Sequence, residues 1–251
     1  MDLENKVVVI TGAGSGIGEA CATLFSKNGS TVIIADIDLK KAQTVATKLA
    51  EQKGKTLALK MDVTDFNEVE SVLQKVVDSY GQIDIMVNNA GIMNQLRAPT
   101  AEHTFDDWDS VIAINQTGVF YCLKASLKHM MHQGHGRIVN IASLAGLKAS
   151  GHNLAYSASK FAVVGMTKSS AMEYAPYNIR INAVCPSYTQ TPMLDAVVEN
   201  QPGIDKKLLR FIPMGRFAEA DEIAEAVIWL ASDQSKFITG QTITIDGGLS
   251  L

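Results

Sequence analysis

The sequence predicts an α/β protein, a single domain built on a doubly wound parallel sheet of seven strands. Three observations carry this. Seven short apolar runs, at 6–11, 31–36, 56–62, 83–90, 137–143, 179–186 and 241–246, alternate with longer segments. Several runs are nearly continuous in Val, Ile and Leu, the composition of strands covered on both faces. The segments between them are of helical length, and such alternation winds a parallel sheet with helices on both sides. With 251 residues, 47% of them hydrophobic and 19% charged, the chain buries such a core without staples.

The first run ends in Thr11-Gly12-Ala13-Gly14-Ser15-Gly16-Ile17-Gly18 and opens a helix. Glycines there let the backbone turn tightly and let a phosphate approach the N–H groups of the helix start. The spacing is G-x-x-x-G-x-G through Gly12, Gly16 and Gly18, not G-x-G-x-x-G, because position 17 is Ile. The second run closes on Asp36. A carboxylate there accepts hydrogen bonds from adenosine ribose hydroxyls and repels a 2′-phosphate. Neither Ser15 nor Ile37 supplies a cation for that phosphate, so the residues favour NAD over NADP.

The third run closes at Asp62-Val63. In the next segment, 65–79, apolar Val69, Val72, Leu73, Val76 and Val77 recur at three- and four-residue spacing, a helix with one buried stripe. The fourth run leads into Asn88-Asn89-Ala90-Gly91, a good turn sequence. The fifth ends at Ser143, and the helical segment 153–174 follows with Tyr156 and Lys160 four residues apart, on one face. Between the sixth run and the last helix, 187–218 is too long for an ordinary connection and reads as a substrate loop or lid. It contains Pro192, Pro202 and Pro213.

Tyr156, Lys160 and Ser143 form a chemical set. A free tyrosine has a pKa near ~10, too high for a base at neutral pH. A fixed ammonium favours the phenolate; bringing the value to ~7–8 takes about 3–4 kcal/mol. Ligands bind at the carboxyl edge of such sheets, where Ser143 stands. Its hydroxyl is placed to hold a substrate oxygen as charge develops.

Together, Thr11 to Gly18, Asn88-Asn89-Ala90-Gly91, Asn115, Ser143, Tyr156-Ser-Ala-Ser-Lys160 and Asp246-Gly247-Gly248 resemble the short-chain dehydrogenase/reductase family, in order and spacing, over nearly the whole chain. The resemblance implies a Rossmann-type sheet in the order 3-2-1-4-5-6-7. It implies Tyr156 as general acid/base, Ser143 as anchor of the substrate oxygen, and Lys160 as ligand of the nicotinamide ribose that also lowers the tyrosine pKa. Asn115 would hold a water that links Lys160 to solvent. Cofactor contacts would come from Gly12, Ser15, Gly16, Ile17, Gly18, Asp36, Asp62, Val63, Asn89, Ala90, Gly91, Tyr156, Lys160, Pro186, Thr189 and Thr191. The family usually reads Pro-Gly where this chain reads Pro186-Ser187, and serine tolerates positive φ poorly.

Met93, Asn94, Leu96, Leu144, His152, Asn153, Tyr188 and Leu194 are expected to face the substrate, with Met193 and Met214 nearby. Such a wall is mostly apolar with a few polar handles and suits a secondary alcohol or ketone. The resemblance gives an NAD-dependent alcohol dehydrogenase or ketone reductase. A 3-oxoacyl carrier-protein reductase and a non-catalytic NAD-sensing protein share the fold and are the alternatives. The family also implies a homotetramer, assembled through the helices around 102–131 and 153–174 and the C-terminal strand.

Other classes are disfavoured. The net charge is −4 with no basic run, which leaves no footprint for nucleic acid. No apolar stretch reaches the roughly 18 residues of a membrane helix, and no signal-peptide pattern opens the chain. Cys21, Cys122 and Cys185 are odd in number and widely spaced, the pattern of buried thiols in a reducing, cytoplasmic setting. No metal is expected: His129 and His132 share a helix, but Gly134 ends it before His135, and no carboxylate or thiolate cluster accompanies them.

Overall fold

The computed structural model describes residues 3–52, 54–95 and 97–251. Along the chain run β1 (Val7–Thr11), α1 (Gly16–Lys27), β2 (Thr31–Asp36), α2 (Leu39–Leu49), β3 (Thr56–Lys60), α3 (Phe66–Tyr80) and β4 (Ile85–Asn88). Then come α4 (Phe105–Ile112), α5 (Gly118–Gln133), β5 (Gly136–Ile141), α6 (Leu154–Tyr174) and β6 (Ile179–Pro186). The chain closes with β7 (Thr189–Gln190), α7 (Pro192–Asn200), α8 (Ile204–Leu209), β8 (Ala218–Glu219), α9 (Ala220–Ala231) and β9 (Thr242–Ile245). The main sheet has the order β3-β2-β1-β4-β5-β6-β9, and every pairing in it is parallel. This is the predicted seven-stranded Rossmann-type sheet in its predicted order. The order reverses at β1, so the carboxyl ends of β1 and β4 open the crevice where such sheets bind ligands.

Continuous apolar runs are explained by two cores. Val7 and Val9 turn to one face with Ile33 and Ile138, while Val8 and Ile10 turn to the other with Ile34 and Val139. Side chains alternate along a strand, so both faces need apolar residues. The first face is covered by α3, α5 and α6, through Leu73, Leu123 and Val163 among others. The second is covered by α1, α2 and α9, through Phe25, Val45 and Val227. On α3 the predicted stripe buries Val69, Leu73 and Val76, each contributing roughly 1.5–3 kcal/mol by leaving water. Asp65 caps that helix by accepting from Asn67 N and Glu68 N, and Gly81 ends it at φ 82°.

The region 187–218 differs from the predicted loop. It holds α7 and α8, and β7 pairs with β8 in a short parallel ribbon. Pro192, at the first position of α7, has no N–H to leave unpaired and presets the helical φ. A proline inside the expected loop therefore starts a helix. Ser187 is absent from the positive-φ residues, which besides glycines are Asn5, His152 and Asn178 among the described residues. Its N–H donates to Ile245 O at 3.0 Å, so the position requires no glycine. All three cysteines are buried and unbridged. The helix α5 ends at Gly134, φ 72°, with His135 beyond it.

Candidate active site

A cleft of about 690 Å³ follows the carboxyl edge of the sheet. Its first wall is the turn between β1 and α1. Gly12 and Gly16 have φ of +60° and +56°, which L side chains rarely adopt. A Cβ on Gly18 would stand 2.3 Å from Gly12 O, so the turn is drawn tight onto its own helix. Thr11 Oγ1 accepts from Asn89 N and Ala90 N, each at 3.0 Å, and Asn89 Nδ2 donates to Gly12 O at 2.9 Å. These bonds lock the glycine turn to the turn after β4. Ser15, at the N-cap of α1, makes no side-chain cap bond. The first-turn N–H groups beside the cleft therefore suit an anion.

Asp36 is held by its neighbours: Oδ2 accepts from Gly14 N and Oδ1 from Asp38 N, both at 2.9 Å. Each oxygen keeps a further lone pair for a ribose hydroxyl. Thr191 leans over the glycine turn, since a Cβ on Gly16 would meet its Cγ2 at 3.3 Å. Capless N–H groups, a fixed carboxylate and a cradle that admits no Cβ fit a dinucleotide.

The second wall comes from β5, α6 and the segment after β4. Lys160 Nζ is buried and donates to Ile141 O at 2.9 Å; it lies 5.6 Å from the centre of the Tyr156 ring. Burial pushes the Lys160 ammonium down to about 8. Burial pushes the Tyr156 phenol above its ordinary value, with the Ser143 hydroxyl pulling the other way. Desolvation of the ring thus opposes the lowering expected of Lys160. Ser143 Oγ also accepts from Ala145 N at 3.1 Å, which orients it at the strand end. Asn115 sits in a π-helical turn, Ala113–Thr117, between α4 and α5. Its Oδ1 accepts from Ile92 N and its Nδ2 donates to Ile92 O, both at 2.8 Å. A Cβ on Gly91 would meet Asn115 Oδ1 at 3.2 Å and Lys160 Nζ at 3.5 Å, so the two side chains converge beside Gly91.

Of the residues expected at the cofactor, Gly12, Ser15, Gly16, Ile17, Asp36, Asp62, Val63, Asn89, Ala90, Gly91, Tyr156, Lys160, Pro186, Thr189 and Thr191 line the cleft. Gly18 and Asn115 stand behind it. On the substrate side Met93, Leu144, Asn153, Tyr188, Met193 and Leu194 line it. Asn94 is a correction: it is buried behind the wall, bonded to Tyr156 N and Asp107. His152 and Met214 also fall outside the lining, and Leu96 lies outside the described residues. Sequence reasoning missed three cations that line the cleft, Lys41, Arg97 and Lys148. Lys41 corrects the expectation of no cation near Asp36: it lies in the first turn of α2, where only helix periodicity would have pointed it back at the glycine turn.

Comparison with known proteins agrees with this geometry. The family profile described as Enoyl-(Acyl carrier protein) reductase matches residues 12–250. A 3-oxoacyl acyl-carrier-protein reductase of Thermotoga maritima is 42% identical over 249 residues, covering 99% of both chains. The meso-2,3-butanediol dehydrogenase of Serratia marcescens is 39% identical, covering 99% of this chain and 96% of its own. The crystal structure of a 3-ketoacyl-(acyl-carrier-protein) reductase from Brucella melitensis complexed with NADH superposes with a TM-score of 0.91 at 33% identity, over 100% of both chains.

Proposed function

The chain belongs to the short-chain dehydrogenase/reductase family, and from that premise we propose that it is an NAD-dependent oxidoreductase interconverting a secondary alcohol and a ketone. One observation carries the reading: Ser143, Tyr156 and Lys160 line the same cleft as the glycine turn and Asp36. The nicotinamide, when bound, supplies hydride exchange with the carbinol carbon.

The chain's residues do the rest. First-turn N–H groups of α1 bind the pyrophosphate, Asp36 the adenosine ribose, and Asp62 and Val63 the adenine. Asn89, Ala90 and Gly91 line the cofactor, and Pro186, Thr189 and Thr191 hold its carboxamide end. Lys160 binds the nicotinamide ribose. Ser143 Oγ–H donates to the substrate oxygen. Tyr156 Oη–H protonates that oxygen in reduction and takes the proton back in oxidation. A raised phenol pKa keeps Tyr156 protonated, which suits the acid role. Lys160 at about 8 exchanges protons near neutral pH, and with Asn115 passes them outward. Met93, Leu144, Asn153 and Tyr188 shape the substrate wall.

An NAD(P)-reduction assay over secondary alcohols, run on wild type and Tyr156→Phe, tests this. Turnover should fall about 10³-fold in the variant while cofactor quenches fluorescence as before. Equal turnover would overturn the mechanism, and cofactor binding with no turnover in wild type would favour a sensor. Reduction of a 3-oxoacyl thioester is the second reading, favoured by the 42% identity to the Thermotoga maritima reductase; the same assay with a thioester and NADPH separates the two.

The partner is a second copy of the chain. Phe120, Phe161 and Met172 on α5 and α6 are exposed, an apolar surface suited to a homotetramer. Light scattering that returned a monomer would contradict it. Free, buried thiols suit the cytoplasm.

A further inference from the structure

Tyr156 is the third residue of α6, so its N–H is one of the first four that no helical carbonyl accepts. Asn153, at the N-cap, makes no side-chain cap bond. The cap comes from another part of the chain: Asn94 Oδ1 accepts from Tyr156 N at 3.0 Å. Asn94 is fixed in turn from behind. Its Nδ2 donates to Asp107 Oδ2 at 2.8 Å. Gln95 N donates to Asp107 Oδ1 at 2.8 Å, and Asp107 N donates to Thr104 Oγ1 at 3.2 Å. Asn94 and Asp107 are only 7% and 6% exposed, and α4, which carries Asp107, packs on α6.

The chemistry of the pair sets a direction. A carboxylate only accepts hydrogen bonds, whereas an amide both donates and accepts. Asp107 therefore compels the Asn94 NH₂ to face it and turns Oδ1 to Tyr156. Burying that carboxylate costs desolvation, which works against its ionisation. The bonds from Asn94 and Gln95, with His103 Nδ1 3.7 Å away, outweigh it and hold the carboxyl below its usual range. An uncharged side chain would fill the space between α4 and the segment after β4 without that cost. It would not dictate which end of the Asn94 amide meets α6.

We propose that Asp107 is a positioning residue for the reaction: through Asn94 it fixes the first turn of α6 and, with it, the Tyr156 phenol. The inference rests on the acid/base reading of Tyr156. Misplacing a catalytic group by about 1 Å costs up to about 10²-fold in rate.

The test is an exchange of the two side chains. Asp107→Asn leaves one acceptor for two donors, so either the Asn94 amide or Gln95 N loses its partner, and Asn94→Asp sets two carboxylates against each other. In the double variant Asn94→Asp/Asp107→Asn, the carboxylate placed at 94 accepts from Tyr156 N and from the amide placed at 107. The oxygen of that amide accepts from Gln95 N, so all three bonds return with the roles exchanged. Each single variant should lose at least about tenfold in kcat with cofactor affinity within about twofold of wild type, and the exchange should recover most of the loss.

Wild-type kcat in Asp107→Asn, or a folded exchange variant as slow as the singles, would overturn the proposal. If Asp107→Asn does not accumulate folded, Asn94→Ala decides: an about tenfold loss of kcat with cofactor affinity retained supports the proposal, and unchanged kcat sinks it. Tyr156→Phe run alongside keeps the two readings apart. If that variant is active, the acid/base reading falls; if it is dead while Asp107→Asn is not, only the positioning role falls.

Discussion

The end of the cleft at the glycine turn and the end where Tyr156 stands are built by different means. At the glycine-turn end, shape comes from the backbone of one short segment. Gly12 and Gly16 take positive φ, α1 starts at once, and Asp36 is pinned by Asp38 N two residues on. At the other end, shape comes from side chains that reach across the sequence. Asn94 caps Tyr156 from 62 residues away, Asn115 clasps Ile92 from 23 residues away, and Lys160 reaches Ile141. The first end is a local conformation that also packs well. The second is a set of buried polar groups whose placement costs stability, as functional sites commonly do.

Removing the buried Lys160 charge at one end and opening the glycine turn at the other should therefore move stability in opposite directions. The largest effect belongs to Lys160. Its pKa is lowered from 10.5 to about 8 by burial. The unfolded chain thus binds more protons between those values, and stability rises with pH across that window. The cost of the buried charge is fully present below pH 8 and is gone above 10.5. Lys160→Met should be stabilised relative to wild type most at pH 7, and by about 3 kcal/mol less at pH 11. Denaturant unfolding of both proteins at several pH values reads this; a difference that stays flat with pH would break the contrast.

Gly18→Ala acts in the opposite sense. The new Cβ would stand 2.3 Å from Gly12 O and 2.6 Å from Asn89 Nδ2. The turn must open, at about 2 kcal/mol in stability and a comparable loss of NAD affinity. Calorimetry of folding and of cofactor binding should show both losses together. Intact affinity at reduced stability would mean the turn matters to packing alone.

The same difference in construction explains what the sequence disclosed. The sheet was legible because its strands are apolar on both faces and its helices carry a stripe, as in Val69, Leu73 and Val76. The glycine turn was legible because positive φ selects glycine, and the Tyr156–Lys160 pair because four residues make about one helical turn. Asn94 misled because polarity after β4 resembles a substrate contact, and only the tertiary bond to Tyr156 shows otherwise. The π turn at Asn115 has no residue pattern of its own. The region 187–218 read as a loop because of its length between the sixth strand and the last helix, yet it holds α7 and α8, and Pro192, one of its prolines, begins a helix. Lys41 escaped because Asp36 was judged by adjacent positions, whereas α2 folds its own first turns back over the glycine segment.

Lys41 makes Asp36 the finest test of the comparison. A Cβ on Gly14 would meet Asp36 Oδ2 at 2.8 Å and Lys41 Cβ at 2.7 Å, so the Asp36 carboxylate and the root of the Lys41 side chain border the same glycine, and both residues line the cleft. On the NAD-dependent reading proposed above, the charge of Asp36 repels a 2′-phosphate and its lone pairs serve the ribose hydroxyls. In Asp36→Ala the repulsion goes and Lys41 remains to meet the phosphate. The ratio of kcat/KM for NADP over NAD should rise about tenfold, an effect of roughly 1.4 kcal/mol. Asp36 also binds Gly14 N and Asp38 N, so the variant loses some local order, but that loss weakens both cofactors and cancels in the ratio. Adding Lys41→Met should take most of the gain away. If the ratio does not move in Asp36→Ala, selectivity lies outside these two residues, and the glycine-turn end is less local in its construction than its backbone indicates.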